Sequence, residues 1–186
     1  GVTTVSSINE LSQAMMGRRV IWIMVPAGQV VDVVINNLKN YLKADDIIID
    51  GGNSFYKDSI SRAKDLEKMG VHLLDCGTSG GVNGALNGLC TMVGGWKDAF
   101  DYVSPLFKSI CVDQGFLYCG KSGNGHFVKM VHNGIEYGMM QSIAEGFELM
   151  NQHNPTMDLA AIANVWNHGS VVRSWLLELT QHALEK

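Results

Sequence analysis

An α/β fold followed by an all-α segment is what this 186-residue sequence predicts. Three observations carry the prediction. Short apolar runs alternate with amphipathic stretches over residues 1–120, glycines cluster at the ends of those runs, and beyond Gly120 the apolar pattern is helical throughout. Strand, loop, helix and strand at this spacing imply parallel strands with helical crossovers. The boundary falls near residue 121, giving an α/β domain over 1–121 and the start of a helical domain over 122–186, with no flexible linker between them.

Taken in order, Ser7-Ile8-Asn9-Glu10 is a capping box that opens a short helix ending near Gly17. The run VIWIMV (20–25) reads as a strand buried on both faces, and Pro26-Ala27-Gly28 ends it. QVVDVVINNLKNYL reads as an amphipathic helix, IIID (47–50) as a second strand, and Gly51-Gly52-Asn53-Ser54 as a turn into a helix that runs to Gly70. VHLLD (71–75) is a third strand, followed by a glycine-rich loop, Asp75-Cys76-Gly77-Thr78-Ser79-Gly80-Gly81. LCTMVG (89–94) and FLYCG (116–120) are further strands, separated by a helix that contains Pro105. Segments 122–153, 156–168 and 171–186 read as helices.

Composition excludes several classes. Net charge is −4, so no basic field points to nucleic acid, and no apolar run reaches membrane-spanning length. No stretch reads as a signal peptide. Cys76, Cys90, Cys111 and Cys119 lack C-x-x-C spacing and read as buried free thiols in a reducing compartment, hence a cytoplasmic protein. His72, His126, His153, His168 and His182 have no metal-ligand spacing and read as structural or surface residues; no metal is expected. The ten methionines, including Met139 and Met140, read as core filler.

Chemistry concentrates after Gly120. The stretch opens with Gly120, Gly123 and Gly125 and continues without proline for about eight helical turns. On that helix Lys129, His132, Asn133, Glu136 and Tyr137 fall within an arc of ~140°, with Val128, Val131 and Ile135 on the other side. Five different polar chemistries on one stripe suit a site better than a solvated face of Lys and Glu pairs. Three further stretches follow strand ends, where open parallel sheets place ligands. In Met24–Gln29 small residues let backbone approach a planar ligand, although a plain strand-to-helix turn looks the same. In Asp50–Ser54, Asn53 offers a donor and an acceptor, as a simple helix cap also would. In Asp75–Gly81, glycine amides around Ser79 could form a nest for a carboxylate or sugar hydroxyls, or a tight turn.

Gly120, Gly123, Gly125, Lys129 and Asn133 match G-x-x-G-x-G-x-x-x-K-x-x-x-N of the β-hydroxyacid dehydrogenases, and FVKMVHNGIEYGMMQ resembles the 6-phosphogluconate dehydrogenase family more narrowly. D-G-G-N-S (50–54) and S-G-G (79–81) belong to the same resemblance, and the tail VWNHGSVVRSWLLELT resembles the family's shorter bacterial form. The resemblance implies that residues 1–121 are the second part of a Rossmann-type domain, because V-P-A-G (25–28) matches the family's fourth strand and no G-x-G-x-x-G occurs anywhere. It therefore implies a chain truncated at both ends and inactive by itself. It further implies oxidative decarboxylation of 6-phospho-D-gluconate to D-ribulose 5-phosphate with NAD or NADP, NAD being favoured by the short form. That reaction belongs to the pentose phosphate pathway and gluconate use. By resemblance, Val25, Pro26, Ala27 and Asn53 face the cofactor, while Asn53, Ser79, Gly80, Gly81, His132 and Tyr137 face the sugar acid. Lys129 is then the base, Asn133 a donor to the enediolate oxygen, and Glu136 the acid that protonates it. The family also implies a homo-oligomer, a dimer through the helical region. Two alternatives stand beside this: a non-decarboxylating β-hydroxyacid dehydrogenase of the hydroxyisobutyrate type, and a non-catalytic cofactor-binding or oligomerisation module.

Overall fold

The computed structural model describes all 186 residues. The first helix, α1 (Ile8–Ala14), is capped by Ser7, whose hydroxyl accepts from Glu10 N at 3.2 Å. The capping box closes differently from the expected one: the Glu10 carboxylate accepts from Ser6 N at 2.9 Å, one residue upstream. Five strands follow, β1 (Val20–Ile23), β2 (Ile47–Asp50), β3 (His72–Ser79), β4 (Leu89–Gly95) and β5 (Cys111–Gly120), in one sheet of order β1-β2-β3-β4-β5. The β1–β2, β2–β3 and β4–β5 pairs are parallel, but β3 and β4 are antiparallel. An all-parallel sheet does not form there because the connection is only the short helix α4 (Gly81–Asn87), too short for a crossover.

α2 (Gln29–Lys39) and α3 (Tyr56–Glu67) supply the β1–β2 and β2–β3 crossovers, and α5 (Lys97–Ile110) joins β4 to β5. Strand alternation sends Ile48 and Leu73 into a core with Val31, Ile35 and Leu38 of α2 and Leu66 of α3. Ile47, Ile49, Leu74 and Cys76 point the other way, against Phe100, Val103 and Phe107 of α5. Pro105 lies inside α5, where it cannot donate to the Asp101 carbonyl; Ser104 Oγ donates to that carbonyl at 3.0 Å instead. β1 is an edge strand and only Ile23 in it is buried, so VIWIMV is not covered on both faces. At the other end of the sheet-bearing segment, Arg19 and Asp46 form a buried ion pair, with Arg19 Nε 3.0 Å from Asp46 Oδ2.

The structure divides into two compact units, Gly1–Val131 and His132–Lys186. The division lies inside the longest helix, α6 (Asn124–His153). In the second unit α6, α7 (Leu159–Asn167) and α8 (Trp175–Leu184) surround Phe147, Ala163 and Leu177. Asp158 caps α7 by accepting from Ala161 N at 2.9 Å, and Ser174 caps α8 by accepting from Leu177 N at 3.2 Å. These caps start both helices a few residues later than the apolar pattern predicts. Of the four free cysteines only Cys76 is buried; Cys90 is exposed and the others are half-buried. Met139 and Met140 are exposed rather than core filler, as are Val128, Val131 and Ile135 on the apolar side of α6.

Candidate functional site

The site is built on one row of residues across the sheet. Register pairs Ile23 with Asp50, Asp50 with Asp75, Asp75 with Gly94, and Gly94 with Gly120. Asp50 and Asp75 are both fully buried, on neighbouring strands and on the face that carries α2 and α3. Two adjacent buried carboxylates persist only if each has its own compensation. Asp75 receives backbone donors: Gly123 N at 2.6 Å and His126 N at 2.9 Å, both at the start of α6. Burial pushes its carboxyl above the ordinary range, while these two N–H groups and the nearby His126 pull it down. Asp75 thus caps α6 from a different strand, at the positive end of the helix dipole.

Glycines let the helix start sit directly on the sheet. A Cβ at Gly125 would lie no more than 2.7 Å from Asp75 O, Met92 O and Gly94 N, and one at Gly77 would lie 2.8 Å from Gly125 O. Gly120 and Gly123 instead need positive φ, at 101° and 90°. Each glycine of the G-x-x-G-x-G pattern therefore has a separate reason to be there. Lys129, one turn into the helix, is buried at 9% exposure, its stem packed over Gly77. His126 is buried as well; its Nδ1 is 2.7 Å from Ser59 Oγ on α3 and its Nε2 has no partner.

The two stretches after β1 and β2 lie together. A Cβ at Gly52 would come within 2.9 Å of Val25 O, so the backbones pass with no side chain between them. Pro26, Ala27 and Asn53 are exposed, Val25 is half-buried, and a Cβ at Gly28 would meet nothing within 4 Å. A flat ring can reach backbone there, so these residues fit the nicotinamide end of a dinucleotide. Arg62 of α3 ties both stretches down, as described further below. The third stretch is not a loop: residues 75–79 are the second half of β3, because they pair with β4. Only Ser79 at the strand end, Gly80 (φ 119°) and exposed Gly81 turn the chain into α4.

In the second unit the continuation of α6 carries His132, Asn133, Glu136 and Tyr137. His132 Nδ1 lies 3.6 Å from Glu136 Oε2 and 3.3 Å from Asn133 Oδ1. All three are half-buried, and Tyr137 is 71% exposed. No group of three or more His, Cys, Asp and Glu side chains is placed to hold a metal ion, and no helix is long and apolar enough to cross a membrane. Sequence reasoning passed over Asp75, Arg62 and the Ser59–His126 pair. A charge closing each of two apolar strands, and polar residues on the inward stripe of α3, were the available signals.

Comparison with known proteins agrees with this geometry. Residues 1–120 match the family model for the NAD binding domain of 6-phosphogluconate dehydrogenase, and residues 125–186 match the model for its C-terminal domain. The NAD(+)-dependent decarboxylating 6-phosphogluconate dehydrogenase of Haloferax volcanii is 43% identical over 187 residues, spanning all of this chain and 62% of that protein. The NADP(+)-dependent decarboxylating enzyme of Bacillus subtilis is 41% identical, spanning 97% of this chain and 39% of its own length. The Plasmodium falciparum 6-phosphogluconate dehydrogenase, solved in its apo form and with NADP+ or 6-phosphogluconate, superposes with a TM-score of 0.90 at 37% identity. It is covered over 40% of its chain, against 97% of this one. The chain thus spans under two thirds of the length of these relatives.

Proposed function

Because the chain belongs to the 6-phosphogluconate dehydrogenase family, we propose that it carries the nicotinamide-facing and base-bearing part of an enzyme that oxidises and decarboxylates 6-phospho-D-gluconate. The products are D-ribulose 5-phosphate, CO₂ and reduced NAD or NADP. The observation that carries the reading is the seating of Lys129: a buried lysine on a helix start that Asp75 caps and Gly125 holds against the sheet. A base fixed on rigid elements meets the positioning that such chemistry requires.

In this reading residues 1–121 form the dinucleotide-binding part and 122–186 the start of the substrate and dimerisation part. Val25, Pro26, Ala27 and Asn53 line the nicotinamide, which supplies hydride acceptance at C3 of the substrate. Lys129, in its neutral form, takes the proton of the C3 hydroxyl as the hydride departs. The C1–C2 bond of the resulting 3-keto acid then breaks, CO₂ leaves, and the electron pair enters an enediolate. Lys129 returns its proton toward the enediolate oxygen, and Asn133 donates a hydrogen bond to it. Glu136 delivers a proton to C1 of the enediol, with His132, 3.6 Å from its carboxylate, as partner and substrate orienter. Ser79, Gly80 and Gly81 contact the sugar acid, and exposed Tyr137 reaches its phosphate end. Homodimerisation through the helical region belongs to the same proposal, supported by exposed Val165, Val172 and Leu179. So does a cytoplasmic location, supported by four free thiols.

The test uses the protein at the full length of its relatives, with 6-phosphogluconate and each dinucleotide. Reduced cofactor and CO₂ should appear in equal amounts. Oxidation without CO₂ would replace this reading with the hydroxyisobutyrate-type one, and no oxidation with either dinucleotide would overturn it.

A further inference from the structure

We propose that Arg62 is a positioning residue that sets the spacing of the two nicotinamide-facing stretches and refers both to the helix that carries Lys129. The proposal rests on the reading just given, in which Val25–Ala27 and Asn53 meet the cofactor. Arg62 lies on the inward stripe of α3 and is only 6% exposed. Its Nε donates to Asp32 Oδ1 at 2.7 Å and its Nη2 to the Gly28 carbonyl at 3.0 Å. Its Nη1 faces Asp50 Oδ2 at 3.5 Å. The first two acceptors belong to the turn after β1 and the first turn of α2, the third to the end of β2. The other oxygen of Asp50 accepts from Gly52 N at 3.2 Å. A continuous chain of polar contacts therefore runs from one stretch, through the guanidinium and Asp50, to the backbone of the other.

Nothing else on this face sets that spacing. The stretches meet backbone to backbone where Gly52 passes Val25 O, with no interdigitated side chain to fix their register. Gly28, the N-cap residue of α2, makes no side-chain cap hydrogen bond. A planar fork with donors in fixed directions can hold three acceptors on two segments; an ammonium is a point charge and cannot. Stability alone is a weak reason for the arrangement, because a buried ion pair seldom outperforms apolar packing of the same volume. The stripe on α3 also includes Ser59, one turn before Arg62, whose hydroxyl meets His126 Nδ1 at 2.7 Å. His126 lies one turn before Lys129 on α6. One helix thus gauges both the cofactor-facing stretches and the base.

The test is made in the protein at the full length of its relatives, with Arg62→Lys and Asp32→Ala. Asp32 is half exposed, so its variant is expected to fold whatever becomes of Arg62→Lys. Dissociation constants for reduced dinucleotide are read from nicotinamide fluorescence, which requires no turnover, and the KM for 6-phosphogluconate is measured in parallel. Arg62→Lys should raise the dinucleotide constant about tenfold, the scale of one charge-assisted hydrogen bond. Asp32→Ala should raise it roughly threefold, and the sugar-acid KM should stay within about twofold in both. A purely structural role would lower the melting temperature and leave the dinucleotide constant of the folded protein unchanged. That result in both variants, or in Asp32→Ala alone if Arg62→Lys does not fold, overturns the proposal. Equal weakening toward sugar acid and dinucleotide also overturns it. Wild-type protein that binds dinucleotide but does not oxidise 6-phosphogluconate defeats the functional reading alone, while failure to bind dinucleotide defeats both.

Discussion

Gly125→Ala tests the joint on which the proposed base is mounted. The added methyl would lie within 2.7 Å of three backbone atoms, Asp75 O, Met92 O and Gly94 N. None of these can rotate away as a flexible side chain would. Restoring ordinary contacts of about 3.5 Å requires the start of α6 to withdraw by roughly 1 Å. The two bonds from Gly123 N and His126 N to the buried Asp75 carboxylate, 2.6 and 2.9 Å long, would be stretched or broken by that movement. Overpacking costs about 1–3 kcal/mol and loss of such a cap about 1–2 kcal/mol, so a total of roughly 3–5 kcal/mol is expected. Gly134, farther along the same helix, is the control, because a Cβ there meets nothing within 4 Å. Gly134→Ala should be neutral or stabilising by about 0.5–1 kcal/mol, since glycine is a poor helix former. Urea unfolding of the two variants beside the wild-type chain, followed by circular dichroism, measures both. A Gly125→Ala cost below about 1 kcal/mol, or equal effects of the two substitutions, would refute the claim that glycine is there for close approach.

Other consequences concern the chemistry and the acid limb of stability. In the protein at its relatives' full length, Lys129→Met should lower kcat by about 10²–10⁴-fold, as expected for loss of a general base, with dinucleotide binding near normal. Retention of more than roughly a tenth of kcat would remove Lys129 from that role. Glu136→Gln should lose turnover with 6-phosphogluconate yet still release CO₂ from a 3-keto acid supplied directly; unchanged turnover would leave Glu136 without the acid role. Asp46 provides the pH dependence. Burial raises its carboxyl, but the Arg19 guanidinium and the N–H groups of Lys43 and Arg19 outweigh that and hold it below its ordinary 3.8. Its stabilisation is therefore complete above pH 3.8 and lost as pH falls through the lower folded value. Asp46→Asn should cost about 3 kcal/mol at neutral pH, by leaving Arg19 buried and unpaired, and should flatten the loss in acid. Urea unfolding at pH 7 and pH 3 checks the sign.

The sequence by itself determined what depends on local order. Alternation of apolar runs and amphipathic stretches identifies the α/β part and the helical part, because burial of a strand or helix face dictates its periodicity. The spacing of Lys129, His132, Asn133, Glu136 and Tyr137 on α6 is equally local, as is the positive φ that Gly120 and Gly123 need. Tertiary structure decided whatever joins residues distant in the chain. Residues 75–79 read as a loop until β4 supplies an antiparallel partner, since pairing of a glycine-containing segment is set by its neighbour rather than its own propensity. Gly125 needs its missing side chain only because Gly94 and Asp75 arrive from two strands beneath it. Asp50 and Asp75 look alike as the last residues of apolar runs, yet one is neutralised by Arg62 and the other by the start of α6. That difference is invisible in sequence because the compensation of a buried charge is a property of the space around it.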